Sequence, residues 1–284
     1  MDAAGKTVLV TGSTDGVGKL VAEQLARAGA HVLVHGRNPE KGARVVADVR
    51  RATGNDAVTY YNADFSSLDE VRRLGATIAE AHERLDVLIN NAGIGGGPQP
   101  RTRRETSRDG HELRFAVNYL APFLLTHLLL PTLRRSAPAR IVNVASAGQY
   151  PIDFDDVMLT RHYEGWRAYA QSKLAQIMFT ITLAERLAGS GVTVNALHPA
   201  TYMNTKIVIE GGNAPRSTVE EGAHAIVYVA TSPELETVTG AYFDGTRRAR
   251  ANAQAYDETA RDRLWRLSAQ LTGIATEPAG AGVE

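Results

Sequence analysis

The chain has 284 residues and no cysteine, which excludes disulfides, thiolate metal sites and cysteine nucleophiles. It also has no net charge, because 31 basic residues balance 31 acidic ones. No global field therefore draws in nucleic acid or an anionic surface, and a small neutral or mildly polar partner is the expectation. Long apolar runs are missing as well, so no membrane span is expected. The most apolar segment, Ala121 to Leu133, is broken by His127 and Pro131 and predicts a core or subunit-interface helix. The first strand-like run begins almost at residue 6, which leaves no room for a secretory signal. None of the eight histidines is read as half of a zinc-ligand pair, and no metal is expected. A cytoplasmic location fits these absences.

What is present is a regular alternation of strand-like and helix-like patterns, with no repeat and no linker. That alternation predicts an α/β fold with helices on both faces of a mainly parallel, doubly wound sheet. Seven strands are expected, near 7 to 10, 31 to 34, 57 to 61, 86 to 90, 139 to 144, 192 to 197 and 240 to 243. Residues 1–275 read as a single domain, and 276–284, rich in Gly, Ala and Pro, as a mobile tail.

Four segments carry chemistry. In Tyr169-Ala170-Gln171-Ser172-Lys173 the four-residue spacing puts phenol and ammonium on one helix face. An ammonium beside a phenol favours the phenolate and lowers its pKa, which equips Tyr169 as a general acid and base. The same spacing also suits an ordinary amphipathic helix. The run Thr11-Gly12-Ser13-Thr14-Asp15-Gly16-Val17-Gly18 joins the apolar Val8, Leu9 and Val10 to a helix. Gly12 suits a tight turn, Gly16 close approach of a pyrophosphate and Gly18 close helix packing, with free N–H groups at the helix start. A purely structural turn remains open for that segment alone. Asn90-Asn91-Ala92-Gly93 and Ile141-Val142-Asn143-Val144-Ala145-Ser146 each place small polar groups at the carboxyl end of a strand, where ligands bind in open α/β sheets.

Taken in order, Thr11-Gly12-x3-Gly16-x-Gly18, Asp64, Asn90-Asn91-Ala92-Gly93, Asn118, Ser146, Tyr169-x3-Lys173 and His198-Pro199 resemble the short-chain dehydrogenase/reductase family over nearly the whole chain. Val117-Asn118-Tyr119-Leu120, Ser172-Lys173-Leu174-Ala175, Leu197-His198-Pro199 and Leu264-Trp265-x2-Ser268 look like its retinol-dehydrogenase-like branch. The resemblance implies a Rossmann-like fold and an enzyme interconverting an aldehyde or ketone with an alcohol. It implies that Tyr169 is the acid and base, that Ser146 positions the carbonyl, and that Lys173 binds the nicotinamide ribose and lowers the Tyr169 pKa. Asn118 would hold a water in a proton relay. Cofactor contacts are implied for Gly12, Ser13, Thr14, Asp15, Gly16, Val17, Gly18, Asn91, Ala92, Gly93, Pro199 and either Thr201 or Thr205. Asp64 would meet the adenine amino group, with a backbone contact from Phe65, or alternatively cap the helix near Ser67. Relatives commonly pair the 121 to 133 helix and the Tyr169 helix between subunits, which implies a homodimer or homotetramer.

The turn His35-Gly36-Arg37-Asn38 faces the adenosine ribose in such folds. Glycine stands where NAD-preferring relatives usually carry aspartate, and Arg37 offers a cation to a 2′-phosphate. NADP(H) over NAD(H) is the expectation, with Asp15 as the opposing feature. The cluster Arg101, Arg103, Arg104 and Arg108 reads as a solvated loop, and Asp153, Asp155 and Asp156 likewise. Tyr150, Phe154, Tyr163, Trp166, Tyr202, Met203 and Ile207 are expected to line an apolar substrate cavity. Two other readings keep the fold and cofactor site: a nucleotide-binding regulatory protein without turnover, and a redox-neutral lyase or epimerase.

Overall fold

The computed structural model describes residues 3–98 and 102–275. Arg101 and the segment 276–284 lie outside the described residues. The strands are β1 (Thr7–Val10), β2 (His31–Gly36), β3 (Val58–Asn62), β4 (Val87–Asn90), β5 (Ala139–Val144), β6 (Val192–His198), β7 (Tyr242–Asp244) and β8 (Arg247–Ala249). The helices are α1 (Gly16–Arg27), α2 (Pro39–Thr53), α3 (Leu68–Ala81), α4 (Leu113–Phe115), α5 (Ala121–Arg135), α6 (Gly165–Arg186), α7 (Lys206–Glu210), α8 (Val219–Thr231) and α9 (Glu258–Thr272).

One sheet runs in the order β3-β2-β1-β4-β5-β6-β7-β8. Strands β1 to β7 are parallel, and β8 returns antiparallel to β7. The expected seven are present, and β8 is the correction. Its Arg247-Arg248-Ala249 has no apolar face, so hairpin pairing with β7 rather than hydrophobic periodicity makes it a strand.

The two-residue side-chain period of a strand sorts the core into two layers. Leu9, Leu33, Leu88 and Ile141 face one way with α3, α5, α6 and α9. Val8, Val10, Val32, Val34, Ile89 and Val142 face the other with α1, α2 and α8. Strand order reverses between β1 and β4, so the crevice at their carboxyl ends is where such a sheet takes a ligand.

The run Leu113–Arg135 is long and apolar enough to cross a membrane by length and composition alone, which the sequence reading did not anticipate; most of it is buried inside the molecule. Its middle turn, Ala116–Leu120, is π-helical. Helix α6 is buried almost all round, because the sheet lies on one side and α9 on the other. Trp265 of α9 packs 5.4 Å from Phe123, 5.2 Å from His127 and 6.0 Å from Phe179, measured between ring centroids. Arg186 lies 4.3 Å over the Trp265 ring, and Arg261 bonds Glu185 at 2.8 Å. Helix α9 thus packs across α5 and α6, the two helices that the resemblance implies for pairing between subunits.

Candidate active site

The glycine-rich turn is held from three sides. Gly12 has φ +65, and a Cβ there would lie 2.7 Å from Ala92 Cα, so only glycine lets the turn press against the β4 exit. From that exit, the Asn91 side chain donates to Thr11 O at 2.8 Å and Gly12 O at 3.2 Å, while Thr11 Oγ1 accepts from Asn91 N and Ala92 N. A Cβ on Gly18 would meet Asn91 Nδ2 at 2.4 Å. Ser13 Oγ donates to Val10 O at 2.7 Å and accepts from His35 N at 3.1 Å. The side chains of Asn91 and Ser13 are therefore consumed in shaping the turn.

His35 is the supporting residue that sequence reasoning missed. Its Nε2 lies 3.1 Å from Ala63 O, and a carbonyl only accepts, so Nε2 carries the proton and Nδ1 accepts from Gly12 N at 3.1 Å. The ring stacks on Phe65 at 4.4 Å. Burial lowers its pKa to about 4, which keeps the acceptor free at neutral pH. One imidazole thus ties the glycine turn, β2 and the β3 exit together. His31 and His35 stand four apart, a spacing the sequence reading passed over. On a strand this separates them by about 13 Å, and His31 instead lies near Thr59 and His82. Among the described residues no cluster suited to a metal exists.

At the end of β2, Arg37 is exposed and has no hydrogen bond or ion pair to any described residue. Asn38 Oδ1 caps α2 by accepting from Lys41 N at 2.8 Å. Asp15 caps α1 and is paired with Lys206 Nζ at 2.5 Å and with Lys41 Nζ at 3.9 Å. Those lysines, the Lys206 hydrogen bond foremost, lower its pKa. The carboxylate that argued against a 2′-phosphate is therefore neutralised by cations from α2 and α7.

Asp64 Oδ1 accepts from Ser66 N at 2.9 Å, and its Oδ2 is 3.7 Å from Arg108. The α3 cap is Ser67 rather than Asp64. Arg108 also bonds Glu70 at 2.8 Å, and Arg104 donates to Met158 O at 2.9 Å. Both arginines are anchored rather than merely solvated.

The catalytic candidates meet at the β5 exit. Ser146 follows β5 by two residues, and its Oγ accepts from Gly148 N at 3.0 Å; the Tyr169 pKa is raised, because burial outweighs the lowering effect of the Ser146 hydroxyl. Lys173 Nζ lies 5.8 Å from the Tyr169 ring centroid and donates to Val144 O and Gln176 Oε1, each at 2.9 Å. Burial lowers the Lys173 pKa to about 7. The sequence expectation is a phenol pulled down by its lysine; in this structure burial pushes the Tyr169 phenol up, and the hydrogen bonds of the ammonium go to β5 and Gln176. Asn118 sits in the π-helical turn. Its Oδ1 accepts from Ile94 N at 2.8 Å, and its Nδ2 donates to Ile94 O at 3.0 Å and Ser172 Oγ at 2.9 Å. That clamp fixes the Asn90-to-Gly93 exit against α6.

A cavity of about 150 Å³ opens over these groups, walled by Val17, Gly93, Ser146, Tyr169, Lys173, Pro199 and Thr205 among others. Of the seven expected lining residues, Trp166, Tyr202, Met203 and Ile207 line it. The other three do not: Tyr150 is exposed with Arg167 over its ring, Phe154 lies under Arg263, and Tyr163 donates to buried Glu112 at 3.0 Å. Thr205 is in the wall, whereas the Thr201 hydroxyl is paired with His198 Nε2 at 3.0 Å. Arg114, only 5% exposed, pairs with Glu105 at 2.9 Å and donates to Gly95 O at 3.2 Å, which fixes the loop beside the cavity. Asp153, Asp155 and Asp156 pair with Arg167, Arg263 and Arg161 and form no acid–base pair.

A dinucleotide fits this arrangement: a glycine turn at a helix start, an unpaired cation at the β2 end, and an open cavity at the switch point. Residues 6–215 match the family model for short chain dehydrogenase. The chain is 42% identical to human retinol dehydrogenase 13, covering 95% of this chain and 85% of that protein. It superposes on an uncharacterised protein from Mycobacterium paratuberculosis with TM-score 0.77 and 32% identity, covering 95% and 94% of the two chains. The RhlG/NADP active-site complex of Pseudomonas aeruginosa gives TM-score 0.69 at 29% identity, with 85% and 94% covered.

Proposed function

The chain belongs to the short-chain dehydrogenase family and is an enzyme acting on CH–OH and C=O groups, and we propose that it is an NADP(H)-dependent carbonyl reductase or alcohol dehydrogenase for a lipophilic substrate. The observation that carries the reading is the convergence of Ser146, Tyr169 and Lys173 on one cavity at the sheet's switch point. The cofactor supplies the hydride, and the protein supplies position and charge.

In reduction, Ser146 Oγ donates to the substrate carbonyl oxygen while the Tyr169 hydroxyl delivers the proton. Both donors strengthen as alkoxide character grows on that oxygen. Burial keeps Tyr169 protonated between turnovers, which suits a proton donor. Lys173 holds the ribose hydroxyls and, as an ammonium, stabilises the phenolate that remains. Lowering a phenol by three units requires about 4 kcal/mol of differential interaction, more than one exposed pair provides. A cavity that excludes water, with a second positive charge in it, makes up the difference. Asn118 anchors the loop that lines the far wall, and the water relay that the resemblance implies would run past it to Lys173.

Arg37 is the group assigned to the 2′-phosphate, supported by its lack of any partner among the described residues and by the neutralised Asp15. A lipophilic substrate is supported by Trp166, Tyr202, Met203, Ile207 and Val208 in the cavity wall. Retinol dehydrogenase 13 is named for such a substrate, and the same chemical class is proposed for this chain.

The test is NADPH consumption by wild type and Tyr169→Phe against aliphatic and aromatic aldehydes, ketones and dicarbonyls, with NADH in parallel. Turnover that falls by more than about 10²-fold in Tyr169→Phe, with NADPH binding kept, supports the reading. Equal turnover by both proteins overturns it.

A further inference from the structure

Lys173 is 5% exposed and Gln176 1% exposed, three residues apart on α6, a spacing that puts them on one face of the helix. An ammonium has three N–H donors and no acceptor. Two of those donors are spent, on Val144 O and on Gln176 Oε1, both at 2.9 Å. The first partner is backbone, so Gln176 is the side chain that decides where the ammonium rests. Lys173 has no ion pair among the described residues. Facing it are Tyr169 on its own helix and Asn118 beside Gly93, with Ser146 and His198 of β6 in the same cavity wall, and burial keeps Tyr169 and His198 uncharged at neutral pH.

The orientation of the Gln176 amide follows from its partner. Because an ammonium cannot accept, the amide presents oxygen to it, and its Nε2 then points into the interior with no hydrogen-bond partner among the described residues. A buried unpartnered NH₂ destabilises a fold, whereas an apolar side chain of similar length would fill the same space without that cost. The turn is otherwise rigid: Gln176 O accepts from Thr180 Oγ1 at 2.8 Å, and that hydroxyl accepts from Asn143 Nδ2 at 2.8 Å. The residue thus occupies a site where its amide weakens packing and makes one useful contact.

We propose that Gln176 is a positioning residue for Lys173, its amide oxygen seating the ammonium against β5 so that one N–H remains for the cofactor ribose. This rests on the reading of Lys173 given above. Stability is traded here for geometry at a functional site.

The experiment follows the NADPH dissociation constant against pH for wild type, Gln176→Leu, Gln176→Glu and Lys173→Met, together with their thermal midpoints. Loss of the Lys173 proton sets the alkaline limb of binding. Removing the acceptor disfavours the ammonium, so the limb in Gln176→Leu moves down by about one pH unit. A carboxylate favours the ammonium, so the limb in Gln176→Glu moves up. Gln176→Leu melts no lower than wild type, and Gln176→Met replaces it if leucine's branching disturbs α6. Opposite displacements in the two variants support the proposal, because a packing role does not respond to the sign of a charge. Limbs at the wild-type pH in both folded variants overturn it. Wild-type binding and pH profile in Lys173→Met remove Lys173 from the site and the proposal with it. A flat profile in Lys173→Met beside unmoved limbs in the Gln176 variants removes Gln176 alone.

Discussion

Thr14 fills the space that a side chain at Gly36 would need: a Cβ on Gly36 would lie 2.6 Å from Thr14 Cγ2 and 2.7 Å from Thr14 Oγ1. The glycine loop thereby dictates what the end of β2 can carry. Gly36→Asp, the obvious change toward NAD, is expected to overpack this contact and cost about 1–3 kcal/mol before any gain in NADH use. Thr14→Ala/Gly36→Asp should recover part of that loss. Thermal melts of both variants check this, and an undiminished Gly36→Asp would show that the contact yields freely.

Arg37→Ala should weaken NADPH about 10- to 100-fold, the equivalent of one or two charge-assisted hydrogen bonds to a phosphate. NADH should be almost unaffected. The ratio of the two dissociation constants is the measurement, and equal weakening of both would assign the phosphate to another cation.

The buried Lys173 makes ligand-free stability depend on pH. Burial brings its folded pKa to about 7 from the ordinary lysine value of 10.5, so between those values the unfolded chain holds a proton that the native state lacks. Stability from this group therefore rises with pH across that window, by up to about 1.4 kcal/mol per unit, and is smallest below pH 7. Urea midpoints at pH 7, 8 and 9 should climb in the wild type, with the slope reduced in Lys173→Met. A slope identical in the two proteins would place the pH dependence elsewhere.

Trp265 is the centre of the α9 contact with α5 and α6. Trp265→Ala should cost about 3–5 kcal/mol and expose Phe123 and Phe179. Light scattering of the wild type should give the mass of one chain, since pairing through this face would require α9 to leave it. A wild-type dimer abolished by substitutions on the outer side of α5 and α6 would contradict that expectation.

The parallel strands were legible in the sequence because Val8 to Val10, Val32 to Val34 and Ile141 to Val144 are apolar runs bounded by glycine or polar residues. β8 was not, since Arg247 and Arg248 give no apolar period and only its hairpin partner defines it. Tyr169 and Lys173 were legible only together with the glycine turn, the Asn90-to-Gly93 exit and Ser146 in order, since their spacing alone also suits an ordinary amphipathic helix, and their convergence with Ser146 followed from strand order. Three features lay beyond pattern. The His35 bond to Gly12 and the Arg108 contact with Asp64 link segments far apart in sequence. The π-helical turn around Asn118 has no residue signature, and the Asn118 bonds to Ile94 join it to a segment 24 residues away. Tyr150, Phe154 and Tyr163 were misplaced because an aromatic residue in a loop satisfies a neighbouring arginine or carboxylate as readily as it lines a cavity.

Helix α9 also orders events during synthesis. The helix that bears Tyr169 and Lys173 is complete by residue 186, yet its outer face is closed only by residues 258–272, and Arg72 of α3 waits for Thr272 O, 200 residues downstream. A nascent chain emerges N-terminus first, so it carries an uncovered apolar groove until α9 has left the ribosome. Competence arrives late and all at once, and chaperone demand should peak in that interval.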